Sequence, residues 1–169
     1  MNQTTDSKPL KYAGYSIVFQ EVPNETTLAI SISGCPHRCE GCHSEYLWEY
    51  EGEYLFADID MLLHKYADMV SCVCFMGGDQ NIKELTDMLI RCKMAGYKTC
   101  LYSGRDDIVP LRNLFPFLDY LKIGSYKSNL GGLQSSDTNQ IFYRIDDDRL
   151  YDITNLFKRK GLESTTEET

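Results

Sequence analysis

The sequence predicts an α/β fold with a mostly parallel β-sheet, and two features of the chain lead to that prediction. Short β-rich runs alternate with helical patterns over most of the 169 residues. No long linker, repeat or low-complexity segment interrupts this alternation. Because strand–helix–strand units place successive strands side by side and parallel, the loops at the carboxyl ends of the strands are expected to build the functional site.

Two strands are predicted near the start of the chain. Residues Ile17–Phe19 and Leu28–Ile32 have the composition of strands, and Pro23–Glu25 is typical of the turn between them. The second strand ends at Ser33–Gly34. It therefore leads directly into a loop that is rich in cysteine.

A helix and a buried strand are predicted next. Asp58 is a candidate N-cap of a short helix. The residues expected to be buried on that helix are Ile59, Leu62, Leu63 and Tyr66. The strand Cys72–Met76 follows, and it ends in the tripeptide Gly77–Asp79.

The remaining elements continue the same alternation. A second helix is predicted from apolar residues at three- and four-residue steps, namely Ile82, Leu85, Met88, Leu89 and Cys92. Gly96 supplies its C-terminal stop. A strand at Thr99–Tyr102, a helix over Ile108–Leu114 broken by Pro116, and a last strand at Tyr120–Ile123 complete the predicted fold.

The composition indicates one globular domain over residues 13–160. Residues 1–12 are predicted to form a flexible N-terminal segment, and residues 161–169 a disordered acidic tail. The net charge of −8 and the pI near 4.8 argue against broad electrostatic binding to nucleic acid or to acidic membranes. No signal peptide or membrane-length apolar run is visible, so a cytoplasmic protein is expected.

Three of the seven cysteines stand close together with the spacing C-x3-C-x2-C. Thiolates are soft ligands that suit iron–sulfur clusters and zinc, so the ligand type alone does not choose between them. Three thiolates from Cys35, Cys39 and Cys42 would leave one iron of a cubane cluster open to substrate. In the alternative, His37 or His43 joins them in a Cys3His zinc site.

The other cysteines have a different interpretation. Cys72 and Cys74 alternate with apolar residues inside a predicted strand, and Cys92 and Cys100 lie on faces of predicted elements. All four are expected to be small buried core residues.

The tripeptide Gly77–Asp79 is a second candidate site. Two glycines remove Cβ atoms where backbone bends or approaches a ligand closely. Backbone carbonyls and the Asp79 carboxylate are then available for a cationic group such as an ammonium. On its own the tripeptide is better explained as a plain turn, and its interest comes from its place one strand–helix unit after the cysteine loop.

Together these motifs resemble the radical S-adenosylmethionine superfamily, in which C-x3-C-x2-C follows the first main strand and a Gly-Gly-Glu-like motif follows the second. The resemblance implies an open, incomplete (βα) barrel and a [4Fe-4S] cluster held by Cys35, Cys39 and Cys42. It also implies that S-adenosylmethionine chelates the fourth iron, with its ammonium group held by Gly77, Gly78 and Asp79. Aspartate is one methylene shorter than the usual glutamate.

The residue before the third cysteine, Gly41, points to one family within this superfamily. The superfamily usually has an aromatic residue there, whereas the run Gly41–His43 is similar to the small activating proteins of anaerobic ribonucleotide reductases. Further agreement comes from Glu21–Pro23, Gly34–Cys39, Thr138–Gln140 and Tyr143. This resemblance implies that the cluster passes one electron to S-adenosylmethionine, and that the 5′-deoxyadenosyl radical removes a hydrogen atom from a glycine of the partner.

The implied partners are the large subunit of anaerobic ribonucleoside-triphosphate reductase and a one-electron donor such as flavodoxin or ferredoxin. Three alternatives stay open. An activase of another glycyl-radical enzyme, such as formate C-acetyltransferase, usually has the aromatic residue that Gly41 replaces. A radical enzyme acting on a small molecule commonly needs more chain to enclose its substrate. A zinc-binding interaction module belongs to a different class altogether.

Several further residues are secondary candidates. Ser103 lies in a polar loop, Tyr102–Arg105, that is a candidate to contact the ribose or the carboxylate of S-adenosylmethionine. Lys122 is expected to meet an anionic group or to lie on an edge strand. His43 is expected either to lie beside the cluster or the adenine, or to be a simple loop residue. Trp48 is expected to anchor the loop after the cysteines, and the loop 129–140 to admit the partner's glycine-bearing loop.

Overall fold

A computed structural model describes residues 7–158 as one α/β unit built on an eight-stranded sheet. The strands are β1 (Lys11–Val18), β2 (Thr27–Ile32), β3 (Glu53–Tyr54), β4 (Cys72–Met76), β5 (Lys98–Tyr102), β6 (Tyr120–Ile123), β7 (Ile141–Asp146) and β8 (Arg149–Asp152). Two α-helices, α1 (Leu55–Lys65) and α2 (Ile82–Met94), and two 3-10 helices, Glu45–Leu47 and Val109–Phe117, connect them.

The sheet is mixed, so the prediction of a mostly parallel sheet is wrong outside its centre. The strand order is β3-β1-β2-β4-β5-β6-β7-β8, and only the pairs β2–β4, β4–β5 and β5–β6 are parallel. Helical or 3-10 crossovers make those parallel pairs possible, whereas the short turns after β1 and β7 can produce only antiparallel neighbours. The sheet is open, with β3 and β8 at its edges, and its closure into a partial barrel stays a prediction.

The first strand begins earlier than the sequence predicts. Strand β1 starts at Lys11, and Leu10 before it is only 1% exposed. Leu10 to Tyr12 therefore belong to the fold rather than to a flexible segment. The predicted turn 23–25 is confirmed, with Asn24 at a φ of 63°, which asparagine tolerates better than most residues. The rest of the predicted flexible segment, up to residue 6, and the predicted tail 161–169 lie outside the described residues.

The first helix corrects the prediction that Asp58 is its N-cap. Helix α1 begins at Leu55, and Asp58 lies within its first turn. Its carboxylate instead accepts a hydrogen bond of 2.7 Å from the Tyr12 hydroxyl and so ties α1 to β1. The predicted second helix is confirmed as α2, which begins after Asn81; the side chain of Asn81 accepts from the backbone N–H of Glu84.

The third predicted helix is a 3-10 helix. Hydrogen bonds of the 3-10 type run from the Leu111 N–H to the Ile108 carbonyl and from the Leu118 N–H to the Phe115 carbonyl. Proline at both ends of this segment, including Pro116 inside it, removes backbone donors that a regular α-helix would need.

The sheet is covered on both faces. Helices α1 and α2 and the second 3-10 helix pack on one face over a large apolar core. The other face carries a smaller cluster of Val22, Cys72, Cys74, Cys100, Tyr120, Leu133, Phe142 and Phe157. Cys72, Cys74, Cys92 and Cys100 are fully buried, which confirms that they are core residues. Within residues 7–158, no helix has both the length and the apolar character that crossing a membrane requires.

Candidate functional site

The strands β2, β4, β5 and β6 end at the same edge of the sheet, and a cavity of about 170 Å³ opens there. All three cysteines of the motif line this cavity, as do residues from the ends of β4, β5 and β6. The segments that the sequence singled out after these strands are therefore brought together. This arrangement is the one expected for parallel strands, whose carboxyl ends meet at one edge.

The cysteine loop is held by backbone hydrogen bonds to the segment that follows it. The N–H of Gly34 donates to the Glu49 carbonyl at 3.1 Å, and the N–H of Cys35 donates to the Leu47 carbonyl at 2.9 Å. Arg38, at the centre of the loop, has a φ of 43°. Its guanidinium lies 5.6 Å from the ring centre of Trp48, so the tryptophan packs against the cysteine loop itself, whereas the prediction makes it an anchor of the loop after the cysteines.

The three thiols are free and partly accessible. Cys35, Cys39 and Cys42 form no disulfide and are neither fully buried nor fully exposed. Burial raises the pKa of the Cys35 thiol, and the backbone N–H groups of His37 and Arg38, which point at its sulfur, offset part of that rise. The Sγ of Cys42 accepts the N–H of the second residue after it at 3.3 Å.

The thiols do not converge on a single point. Within residues 7–158, no group of three or more His, Cys, Asp or Glu side chains is arranged to hold one metal ion. Neither the three thiols alone nor the thiols with His37 or His43 are gathered around one point in this part of the chain. A cubane cluster instead takes its thiolates at separate iron corners, and three accessible thiols around one cavity fit that requirement.

The glycines after β4 adopt backbone conformations that other residues rarely adopt. Gly77 has a φ of 100° and Gly78 a φ of 110°. Gly77 lines the cavity, whereas a Cβ on Gly78 would meet the side chains of Leu85, Ile32 and Leu10 in the core. The structure thus brings Gly77 and Asp79 to the cavity, and Gly78 shapes the turn between them.

The Asp79 carboxylate is 2% exposed and already has partners. Its Oδ2 accepts hydrogen bonds from Arg105 Nε at 2.6 Å and from the Ser103 hydroxyl at 3.0 Å, and His37 Nε2 lies 3.6 Å away. Burial alone would raise the pKa of Asp79, but the neighbouring His37 and the hydrogen bonds from Arg105 and Ser103 outweigh burial and lower it. Ser103 therefore reaches the cavity as one member of this network.

Lys122 is a buried cation at the cavity wall. Strand β6 lies between β5 and β7, so the edge-strand alternative for Lys122 is wrong. Its ammonium group donates to the Gly124 carbonyl at 2.9 Å and to the Ser103 carbonyl at 3.4 Å. Burial lowers the pKa of Lys122 to about 8, against the opposite influence of the nearby Cys39 and Asp106.

His43 does not line the cavity. It is exposed, and its ring packs against Tyr126, with 5.4 Å between ring centres. Tyr126 does line the cavity, and a Cβ on Gly41 would lie 3.6 Å from its ring. The aromatic side chain beside the third cysteine thus comes from the loop after β6, a position that no local sequence signal indicates.

A second cavity, of about 420 Å³, lies on the other side of Cys35. Cys35, Trp48 and Gln80 line both cavities. The Gln80 side chain donates to the Ser33 carbonyl at 3.1 Å and accepts from the Gly78 N–H at 3.1 Å, so it joins the ends of β2 and β4. Sequence reasoning did not find Gln80; its only signal was its place directly after the Gly77–Asp79 tripeptide.

These features define a class, an α/β protein with a thiol-lined cavity at the carboxyl edge of its central parallel strands. Comparison with known families makes the class specific. Residues 26–122 match the family described as "4Fe-4S single cluster domain", and the chain belongs to that family. The matched range contains the three cysteines and the predicted cofactor-binding residues through Lys122, and the loop 129–140 lies outside it.

One curated relative matches with a significant score. The anaerobic ribonucleoside-triphosphate reductase-activating protein of Enterobacteria phage T4 is 24% identical over 138 residues, which cover 75% of this chain and 84% of that protein. No solved structure gives a significant match.

Proposed function

We propose that this protein is an activating enzyme of the anaerobic ribonucleotide reductase type, with a [4Fe-4S] cluster bound by Cys35, Cys39 and Cys42 and with S-adenosylmethionine as its second cofactor. The observation that carries the proposal is the meeting of three accessible thiols, a glycine turn and a buried cation around one cavity. Family membership supports the cluster, and the phage T4 relative supports the kind of partner.

The chemistry belongs to the bound cofactors: the cluster would supply one electron that cleaves S-adenosylmethionine, and the resulting organic radical would take a hydrogen atom from a glycine of the reductase. The chain's own residues bind and orient. Three thiolates leave one iron for the amino and carboxylate groups of S-adenosylmethionine. The backbone at Gly77 faces the place proposed for the ammonium group, with Gly78 and Asp79 shaping that segment.

Lys122 is the proposed partner of the methionine carboxylate. It is the lysine among the residues that line the cavity, and its ammonium group has only two carbonyl acceptors among the described residues. A buried cation with spare donor capacity is costly unless an anion meets it. Ser103 contributes its backbone carbonyl to Lys122, and His43 supports Tyr126 from the solvent side.

The size of the cavity sets one requirement on this proposal. A volume of about 170 Å³ is smaller than the roughly 300 Å³ at which ligand pockets usually begin. The cysteine loop separates this space from the adjoining cavity of about 420 Å³. We therefore expect the loop of Cys35–Cys42 to shift towards that second cavity when cluster and S-adenosylmethionine bind.

The partner is proposed to be the large subunit of an anaerobic ribonucleoside-triphosphate reductase, and the reducing equivalent to come from a one-electron donor such as flavodoxin or ferredoxin. The loop 129–140 is the proposed entrance for the partner's glycine-bearing loop. A pocket of about 270 Å³ there is lined by Gly132, Leu133 and Tyr102, and Tyr102 also lines the cysteine cavity. The two spaces therefore share a wall.

The test is to purify the protein without oxygen, record its iron content and visible spectrum, and then add reductant and S-adenosylmethionine. The proposal expects a [4Fe-4S] spectrum, formation of 5′-deoxyadenosine and a glycyl radical on a co-purified anaerobic ribonucleotide reductase. A colourless protein that contains only zinc after anaerobic reconstitution would end the proposal. If the radical formed on formate C-acetyltransferase instead, the proposed radical chemistry would stand and the proposed partner would be wrong.

A further inference from the structure

The buried carboxylate of Asp79 stands where three loops meet. We call Asp79, His37, Ser103 and Arg105 the Asp79 network. His37 lies in the cysteine loop, Asp79 follows β4, and Ser103 and Arg105 follow β5. The network therefore joins the loop that carries the thiols to the ends of two central strands.

The partners of Asp79 are fixed in their turn. Arg105 contacts Asp79 twice, from Nε to the carboxylate at 2.6 Å and from a terminal nitrogen to the backbone carbonyl at 3.3 Å. The Ser103 hydroxyl donates to Asp79 and accepts the backbone N–H of Arg105 at 3.1 Å. The Arg105 carbonyl also accepts the N–H of Gly124 at 2.7 Å, which extends the connection to the end of β6.

The contact with His37 is the link to the cysteine loop. His37 Nε2 is buried, lies 3.6 Å from Asp79 Oδ2 and has no hydrogen-bond partner among the described residues. The His37 ring lies close against the backbone of Gly104, where an added Cβ would be only 2.8 Å from the ring. Glycine at this position therefore lets the cysteine loop approach the end of β5 as closely as it does.

The Asp79 carboxylate has a cation and a hydrogen-bond donor within the protein. Arg105 Nε and the Ser103 hydroxyl both donate to its Oδ2, and His37 Nε2 lies 3.6 Å from the same oxygen. We propose that Asp79 is a positioning residue, whose carboxylate holds the cysteine loop against the strand ends through His37 and does not itself bind the ammonium group of S-adenosylmethionine. This inference rests on the proposed function of Cys35, Cys39 and Cys42 as cluster ligands.

The experiment uses the full chain with its cluster reconstituted anaerobically, and it measures two quantities. The first is the rate at which an iron chelator bleaches the cluster. The second is the dissociation constant of S-adenosylmethionine for the loaded fraction. Asp79→Asn weakens the pairing with Arg105, whereas Gly104→Ala keeps every charge and displaces the His37 ring. Asp107→Asn, an exposed carboxylate of the following loop, is the matched control.

We expect Asp79→Asn and Gly104→Ala to bleach about tenfold faster or more, the effect of losing one charge-assisted contact, and we expect Asp79→Asn to keep the dissociation constant within about threefold. Asp79→Glu is expected to bleach faster as well, because a longer side chain does not fit between Arg105 and Ser103. The inference would be overturned if Asp79→Asn bleached at the normal rate but bound S-adenosylmethionine at least tenfold more weakly, and if Gly104→Ala had no effect on bleaching. Asp79 would then be a direct ligand of the ammonium group.

A further readout separates this inference from the proposed function. Trp48 is the chain's single tryptophan and lines both cavities beside the cysteine loop, so its fluorescence reports the order of that loop in cluster-free protein. A wild-type protein that never takes up iron and sulfide would end the proposed function. Unchanged accessibility of Trp48 to a quencher in Asp79→Asn and Gly104→Ala would end the positioning role of Asp79.

Discussion

Replacing Lys122 by methionine should change stability and cofactor binding in opposite directions. Methionine keeps the length of the side chain and removes the buried charge. Burial lowers the pKa of Lys122 from 10.5 to about 8, which at about 1.4 kcal/mol per pKa unit corresponds to about 3 kcal/mol of destabilisation by the protonated side chain. The variant gives up two hydrogen bonds to carbonyls, so the net gain in the free energy of unfolding should be about 1–3 kcal/mol.

The dependence on pH identifies the source of that gain. The pKa of Lys122 is lower in the folded protein than in the unfolded chain, so the unfolded state binds more protons between about pH 8 and pH 10.5. The destabilisation by the protonated Lys122 side chain is fully present below pH 8, and it disappears as the pH rises through this window. Buried groups such as Tyr120 and Cys72, whose pKa is raised by burial, act in the opposite direction. The contribution of Lys122 must therefore be measured as the difference between wild type and Lys122→Met.

The assays are urea unfolding of the cluster-free protein across pH 7 to 10 and equilibrium binding of S-adenosylmethionine to the loaded protein. Loss of a charge-assisted contact to the carboxylate should weaken binding about 10- to 100-fold. Lys127→Met, an exposed lysine five residues later, is the control and should leave both quantities unchanged. A Lys122→Met protein that is less stable than wild type and binds S-adenosylmethionine normally would refute both the energetic argument and the proposed contact.

Three other predictions concern the ligands, the fold and the partner. Cys39→Ala should abolish cluster retention, measured as iron per chain, while the buried Cys92→Ala should retain the cluster; the reverse pattern would mean that the ligands are misassigned. Glu25→Gln should lower the free energy of unfolding by about 1–3 kcal/mol at pH 7, mainly through its buried contacts, because its partner Lys98 is half-exposed. Hydrogen bonds outweigh burial and lower the pKa of Glu25, so the difference between wild type and variant should shrink as the pH falls below about 4.5, and a constant difference would contradict this account. Gly132→Val, whose Cβ has room, should abolish activation of the reductase and keep cluster and S-adenosylmethionine binding, so an unchanged activation rate would exclude the loop from partner entry.

Local signals were sufficient for the centre of the fold. Alternating β-rich runs and three-to-four-residue apolar spacing predicted β2, β4, β5, β6 and α2 close to their observed bounds. The strands at the two sides of the sheet were missed or misplaced, because their pairing depends on residues that are far away in the sequence. The hairpin of β7 and β8 had a recognisable signal, since Asp147 and Asp148 form a two-residue turn with positive φ between aromatic and β-branched residues.

The candidate site divides along the same line. Cys35, Cys39, Cys42 and Gly77 could be recognised because their spacing and residue types carry information within a few positions. The pairing of Asp79 with Arg105, and the approach of Tyr126 to Gly41, join residues that are far apart in sequence. Such contacts follow from where the loops meet above the sheet, and no pattern along one chain specifies them. Lys122 is an intermediate case. The sequence shows a cation among apolar residues, but it does not show where the strand of Lys122 lies in the sheet.

The burial of four cysteines has a consequence for how the protein acquires iron. Thiolates bind iron, and a thiol that stays protonated in the apolar core does not. Burial raises the pKa of Cys72 and Cys100 well above the usual range and that of Cys92 to about 12. Iron and sulfide that reach the folded chain therefore meet three partly accessible thiols, whereas the other four of the seven cysteines are buried. On the proposed function, folding before cluster assembly would leave only those three thiols accessible, whereas metal that arrives before the core closes would meet all seven.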